Sequence, residues 1–432
     1  MISFFMLGLV LLLLIQQLWS LRDPVRFPPD DFVEYYAAGK LNRQGQNPYN
    51  PDLLLPIENE AGRKTEVAIM MWNPPWTLTL AMPLSLFNSE DAKVLWLIMS
   101  FVLVAYCADQ LWKVYDGPKH LRWLAWVFML TFFPTWIVFA AGQISAWLLL
   151  GITLFLKFSK SNRWFLAGAS TVFMAIKPHL FFLFWIVIFI WGCRNKYKLL
   201  LGGIVAGLIT AFIPTLFNPE VWSHYHQELT QRPPAQWKSP TLGTVIRLIQ
   251  MKLTDNSVSG TFSSQFIPLF LGLFWLIVYY WQFIPYLNNT KMTKPVDDSA
   301  DPGSGDTDHS HSNGRFCWLI DLPKVILISF VTAAYGAWPY DMVVLYIGVV
   351  HLLTSSVKLS IQLGENRRKN TIIQLLMGLW IVLNSMAFLM NLVEVEAFGF
   401  IWYPPSFAII YFYGIKKLSM DLKRDHSLQG IT

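Results

Sequence analysis

Apolar stretches recur from one end of this 432-residue chain to the other, and each is closed by a charged, polar or proline-containing break. They fall near residues 2–20, 92–112, 121–141, 143–157, 164–177, 179–193, 197–216, 264–287, 323–338, 339–357, 371–391 and 398–414. A lone helix needs roughly 20 apolar residues to cross a bilayer, so the shorter runs must tilt or be covered by neighbours. The composition agrees: 14% of residues are charged and 54% hydrophobic, where a soluble domain carries about a quarter charged residues. The expected fold is an all-α polytopic membrane protein with about 12 transmembrane helices, forming one membrane domain over residues 1–432.

Charge sets the orientation. The clusters Lys113/Lys119/Arg122, Lys157/Lys160/Arg163, Arg194/Lys196/Lys198, Arg367/Arg368/Lys369 and Lys416/Lys417/Lys423/Arg424 share one side if the spans alternate. The positive-inside rule assigns that side to the cytoplasm, which makes both termini cytoplasmic in a multi-pass cell-membrane protein. The net charge of +6 is dispersed in these small clusters, so nucleic acid is not an expected partner; membrane lipids are. Residues 2–19 lack a basic leader and a small-residue cleavage site, and read as an uncleaved first span.

The segment "WNPPWTLTLAMPLSLF" (72–87) is apolar but interrupted by three prolines. A full crossing there would reverse the charge bias of every later loop, so it is expected to be re-entrant or interfacial on the outer side. The large outer loops are then 21–91 and 217–263. Residues 288–322, rich in Asp, Ser, Gly and Pro, form a flexible cytoplasmic linker, and 415–432 a cytoplasmic tail. His309 and His311 in that linker read as part of a solvated polar tract. The cysteines Cys107, Cys193 and Cys317 have neither metal nor disulfide spacing.

Polar residues within breaks between short spans gather on the outer side. Trp72-Asn73-Pro74-Pro75, "AAGQIS" (140–145), "IKPH" (176–179), "HYHQELTQRPPAQW" (224–237), "AWPYD" (337–341) and "FIWYPP" (400–405) all belong there. Ionisable residues at membrane depth are functional candidates by default, and Lys177 and Asp341 qualify. Each also has a plain structural reading. Asp30 or Asp31 caps the 31–43 helix, with Glu34 completing a capping box; Lys177 snorkels to headgroups; Gln143 hydrogen-bonds between helices. Against the cap stands the surplus of carboxylates, since Asp31, Glu34, Tyr35 and Ala38 share one helical face. His224 and His226 lack an evident third metal ligand. No phosphate loop, nucleophile elbow or zinc-binding helix motif is present.

The segments "DFVEYYAAGKLNRQGQNPYNP" (31–51), "WNPPWTLTLAMPLSLF", "AGQISAWLLLGITLFLKF" (141–158), "RWFLAGASTVFMAIKPHLF" (163–181) and "AWPYDMVVLY" (337–346) occur in an order that resembles glycosyltransferase family 87. That family includes polyprenyl-phosphate-mannose-dependent α-mannosyltransferases, and the resemblance runs from about residue 1 to 350. It implies the GT-C architecture: a helical membrane bundle with extracytoplasmic loop helices and an extracytoplasmic active site, to which the first outer loop contributes an essential aspartate. By position that aspartate is Asp31, with Asp30 adjoining it. Relatives often place a histidine in the segment where this chain has Tyr340 and Asp341.

The chemistry so implied is transfer of a hexose, mannose above others, from a polyprenyl-phosphate donor to a lipid or glycan acceptor. Asp31 is the expected base and Glu34 its tuning neighbour. Lys177, aided by His179, is the expected cation for the leaving phosphate. Asn73 and Gln143 are candidates for sugar hydroxyls, Trp72, Trp338 and Tyr340 for the pyranose faces, and Asp30, Tyr35 and Asp341 complete the candidate binding set. No cofactor is required, although Asp30, Asp31 and Glu34 have the chemistry to hold a divalent ion. Two other classes compete: a transporter or flippase for lipid-linked sugars, and a non-catalytic assembly subunit in which Asp31 is only a cap.

Overall fold

A computed structural model describes residues 23, 30–232, 238–254, 261–281, 316–363 and 370–429. The expected first span, 2–20, and most of the 288–322 linker with His309 and His311 lie outside the described residues. Every regular element among the described residues is helical. In chain order the helices are α1 (Phe32–Arg43), α2 (Pro51–Glu60), α3 (Ser89–Val114), α4 (Trp123–Leu130), α5 (Phe133–Ala140), α6 (Ser145–Lys160), α7 (Trp164–Ser170) and α8 (Phe182–Asn195). There follow α9 (Tyr197–Phe217), α10 (Val221–Gln231), α11 (Leu242–Thr254), α12 (Thr261–Trp281), α13 (Trp318–Val331), α14 (Tyr346–Leu363), α15 (Asn370–Leu392) and α16 (Tyr403–Gln429).

Among the described residues, five helices are long and apolar enough to cross a membrane: Ser89–Val114, Tyr197–Phe217, Ser264–Trp281, Asp341–Ile361 and Ile372–Leu392. The bent pair Lys119–Leu130 and Phe133–Ala140 makes a sixth if counted as one span. The count of about 12 is therefore not reached by length and apolarity among the described residues. The physical reason is that several expected spans are short or broken: Trp164–Ile176 and Pro178–Arg194 are shorter apolar helices. Such pieces belong in a bilayer only where other helices cover them.

α6 illustrates that cover. Its 16 residues rise about 24 Å, less than the roughly 30 Å hydrocarbon layer, and Leu148, Leu149, Ile152, Phe155 and Leu156 are fully buried. α3 instead shows two faces. Asn88 caps it by accepting the Asp91 N–H at 2.8 Å, Trp96, Val104, Cys107 and Leu111 turn inward, and Leu95, Ile98, Phe101 and Val102 remain exposed as a lipid-facing surface. α7 and α9 approach most closely at Gly168 and Gly202, where an added Cβ would lie 1.8 Å from the Leu199 carbonyl oxygen and 2.0 Å from that of Phe165. Small residues at such crossings replace the hydrophobic driving force that lipid cannot supply.

The 60° bend between α4 and α5 falls at Phe132, which is extended at the N-cap of α5, with Pro134 in the first turn of the new helix, where its missing N–H costs nothing. Asn384 of α15 covers the opened backbone, accepting the Phe133 N–H at 2.9 Å and the Tyr403 hydroxyl at 3.0 Å. Residues 72–87 do not form one continuous helix. Short pieces at Pro75–Thr77, Leu78–Ala81 and Met82–Leu86 pack on α1, where a Cβ on Gly39 would meet the Ala81 carbonyl oxygen at 2.6 Å.

The two ends of the bundle differ in charge. α6 begins where Ser145 meets Asp341 and ends where Lys160 pairs with Asp116 at 2.6 Å. Asp109 also binds Lys113 at 2.9 Å and Arg122 at this second end. The basic clusters 113–122 and 157–163 therefore sit at the end of α6 remote from Asp341.

Candidate functional site

Five separate breaks in the chain meet around one cavity of about 700 Å3. Its wall takes Asp31 and Glu34 from the start of α1, Trp72 and Asn73 from the proline-rich break, and Gln143 from the turn before α6. Lys177 and His179 come from the break between α7 and α8, and Trp338, Tyr340 and Asp341 from the turn before α14. Ten of the twelve expected residues thus line one space. The other two do not: Asp30 is exposed outside it, and Tyr35 is fully buried behind it.

Asp31 stands at the N-cap of α1 but makes no side-chain cap hydrogen bond. Its carboxylate instead accepts the Gln143 amide Nε2–H at 2.7 Å, so the capping-box reading does not hold. Tyr35, one turn along α1, donates its hydroxyl to Gln143 Oε1 at 2.8 Å. Burial raises the Asp31 carboxyl above its ordinary range, while the Gln143 bond, Lys177 and Arg63 oppose the shift. Burial, then the Asp31 charge, push Glu34 well above the usual carboxylate range and favour its proton-bearing form. Asp30 rises to about 6 through desolvation by the surrounding protein and repulsion from Asp31, with Arg63 opposing.

Local packing fixes these positions. Gly142 has φ +62°, and an added Cβ would lie 2.7 Å from the Phe32 Cβ, so the turn before α6 presses directly on the start of α1. Trp96 of α3 donates its indole N–H to the Gly142 carbonyl at 2.7 Å. The wall formed by 68–70 hangs from buried Glu58, which accepts the Arg63 guanidinium at 2.8 Å and the Ile69 N–H at 3.0 Å.

At the cavity floor, Lys177 Nζ lies 2.7 Å from Asp341 Oδ1 and 4.7 Å from the centre of the Tyr340 ring. Asp341 is fully buried and also accepts the Ser145 hydroxyl at 2.6 Å and the Trp338 N–H at 3.2 Å. Asn73 is turned partly into the protein, donating to the Ile176 carbonyl at 3.1 Å. His179 stacks on Tyr335 with ring centroids 4.4 Å apart, and Gly336 packs against its edge. These contacts make His179 a spacer between two wall segments.

Sequence reasoning missed Lys238, Glu396, Tyr225 and Tyr335, which also line the cavity, and Ser145 beneath it. Each is a single polar or aromatic residue without a spacing pattern: Tyr225, Lys238 and Glu396 were visible only as members of outer segments, and Tyr335 lay within the apolar run 323–338. No group of three or more His, Cys, Asp or Glu residues suited to a metal occurs among the described residues. His224 instead faces Glu220 at 3.5 Å.

The sequence model of glycosyltransferase family 87 matches residues 72–290, half of the chain. The chain belongs to that family and is a membrane glycosyltransferase. Trp72, Asn73, Gln143, Lys177 and His179 fall inside the matched region, whereas Asp31 and Asp341 fall outside it. No curated protein and no solved structure matches the chain.

Proposed function

We propose that this family 87 glycosyltransferase moves a hexose, mannose in the first instance, from a polyprenyl-phosphate donor to the hydroxyl of a lipid or glycan acceptor. The observation that carries the reading is Asp31, an uncapping carboxylate that opens on a cavity with a buried cation in its floor. A volume of about 700 Å3 suits a small ligand, for which sites of roughly 300–1,000 Å3 are usual. Trp72, Trp338 and Tyr340 line it and offer flat faces to a pyranose.

In the proposed step the acceptor oxygen attacks the anomeric carbon and its proton passes to Asp31. The bond from that carbon to the phosphate oxygen breaks, and the electron pair leaves with the polyprenyl phosphate. Single displacement inverts the centre, so a β-linked donor gives an α product. Lys177 is already paired with Asp341, so the two together add little net charge. Lys238 in the same wall supplements Lys177 against the charge developing on the phosphate.

The cavity is assigned to the extracytoplasmic face of the cell membrane, with both termini inside. The position of the clusters around Lys113, Arg122 and Lys160, at the opposite end of α6, supports this side. Membranes containing the protein, given radiolabelled polyprenyl-phosphate mannose, should form a labelled product released by an α-specific glycosidase. Absence of transfer from every lipid-phosphate sugar, with passage of lipid-linked sugar across reconstituted vesicles, would replace the enzyme with a transporter.

A further inference from the structure

Gln143 entered as a candidate sugar ligand, yet both the oxygen and the nitrogen of its side-chain amide are engaged with protein. Its Oε1 accepts the Tyr35 hydroxyl at 2.8 Å, and the Lys177 ammonium stands 3.5 Å from the same oxygen. An ammonium can only donate, so the face of the amide toward Lys177 must be the oxygen. The Nε2 end is thereby directed at Asp31 Oδ2, 2.7 Å away. Reversing the amide would set N–H groups against the ammonium and a carbonyl against the carboxylate.

We propose that Gln143 is a positioning residue that holds Asp31 ionised and aimed, with Lys177 fixing the direction of its amide and the Tyr35 hydroxyl anchoring the same oxygen. This rests on the reading of Asp31 as the base. One carboxylate oxygen is occupied by the Gln143 bond, which leaves the other to receive the acceptor proton. A hydrogen bond from a neutral donor stabilises the charged carboxylate without adding a positive charge that would oppose uptake of the acceptor proton. The clamp of Gly142 on Phe32 and the Trp96 bond to the Gly142 carbonyl hold Gln143 at the right distance from α1. The other titratable or charged groups around Asp31 are Asp30, Glu34 and Tyr35 on its own segment, Arg63, Lys177, Tyr340 and Asp341. None of these supplies the 2.7 Å contact that Gln143 makes.

The test is an infrared titration of full-length protein in lipid nanodiscs with 13C-labelled aspartate carboxyls, using Asp31→Asn to identify the Asp31 band. In Gln143→Leu the Asp31 midpoint should rise by about one pH unit or more, and in Tyr35→Phe by a smaller amount in the same direction. The acid limb of kcat/KM should move with it, while the donor KM stays within about twofold of wild type. An unmoved Asp31 midpoint in Tyr35→Phe and Gln143→Leu overturns the proposal. A raised donor KM with an unmoved limb overturns it too, and returns Gln143 to sugar binding. Tyr35→Phe, which removes one hydroxyl, keeps the test decisive should Gln143→Leu fail to fold. If wild type transfers nothing, the base assignment fails, and the titration still decides whether Gln143 controls Asp31.

Discussion

Lys177 and Asp341, 164 positions apart, meet with Nζ 2.7 Å from Oδ1 at the floor of the cavity. The pair joins the break after α7 to the turn before α14, and Ser145 ties the start of α6 to the same carboxylate oxygen. A fully buried carboxylate of this kind is tolerable only with its partners in place. Asp341→Leu alone should therefore lower stability by about 3–5 kcal/mol by stranding the ammonium. The double variant with Lys177→Met should recover a large part of that loss. Thermal unfolding of the four proteins in one detergent completes the cycle, and equal losses in single and double variants would contradict it.

The two adjacent aspartates should separate cleanly. Asp31→Asn should reduce transfer about 10²–10⁴-fold, the range for removing a general base, while donor binding persists. Asp30→Asn, outside the cavity, should retain turnover at neutral pH and lose a titration near 6. Single-turnover rates with matched donor-binding measurements distinguish the two.

Acidity should act on rate and stability in opposite directions. Asp31 must be ionised to accept a proton, and its folded-state pKa is raised, so transfer should fall as pH drops through a range above that of an ordinary aspartate. Asp30 and Glu34 also bind protons more tightly when folded than when unfolded. Their contribution to stability is fully present below the ordinary carboxylate range and is lost as pH rises; for Asp30 the loss runs from about 4 to about 6. Turnover and unfolding profiles between pH 4 and 8 should therefore cross rather than run parallel.

Gly142 should resist substitution. Its left-handed φ and the 2.7 Å approach to Phe32 mean that Gly142→Ala combines backbone strain with overpacking, about 1–3 kcal/mol each. Transfer should decline together with stability, because the turn that shifts carries Gln143.

At the α4–α5 bend, Asn384→Leu removes the acceptor of the Phe133 N–H and the Tyr403 hydroxyl. It should cost about 1–3 kcal/mol for the buried donors left unsatisfied. Since the bend lies away from the cavity lining, the remaining folded fraction should keep a normal donor KM.

Much of the cavity was legible because polar residues are conspicuous inside apolar segments. Asn73, Gln143, Lys177 and Asp341 each interrupt a run that would otherwise continue, and the fold brings those interruptions together. Tyr35 was misplaced because sharing a helical face with Asp31 does not tell whether that face meets cavity or protein at each turn; Gln143 covers it. Lys238 and Glu396 gave no signal, being single charges in outer segments where charge is ordinary. The count of about 12 spans is not reached by length and apolarity among the described residues, because the 121–141 run bends beside Pro134 and the runs on either side of Pro178 give helices too short to cross alone. The breaks at Gly142 and Pro178, legible in the sequence, build the site. The pairing of Lys177 with Asp341 was hidden for another reason: a contact across 164 positions has no local periodicity.

The central claim is that Asp31 accepts a proton during sugar transfer from a lipid phosphate. Its most direct measurement is in-membrane transfer from radiolabelled polyprenyl-phosphate sugars by wild type, Asp31→Asn and Asp30→Asn at equal amounts of folded protein. The account predicts a labelled lipid or glycan product from wild type and Asp30→Asn, and almost none from Asp31→Asn. Undiminished transfer by folded Asp31→Asn would contradict it and leave Asp31 without a part in the chemistry.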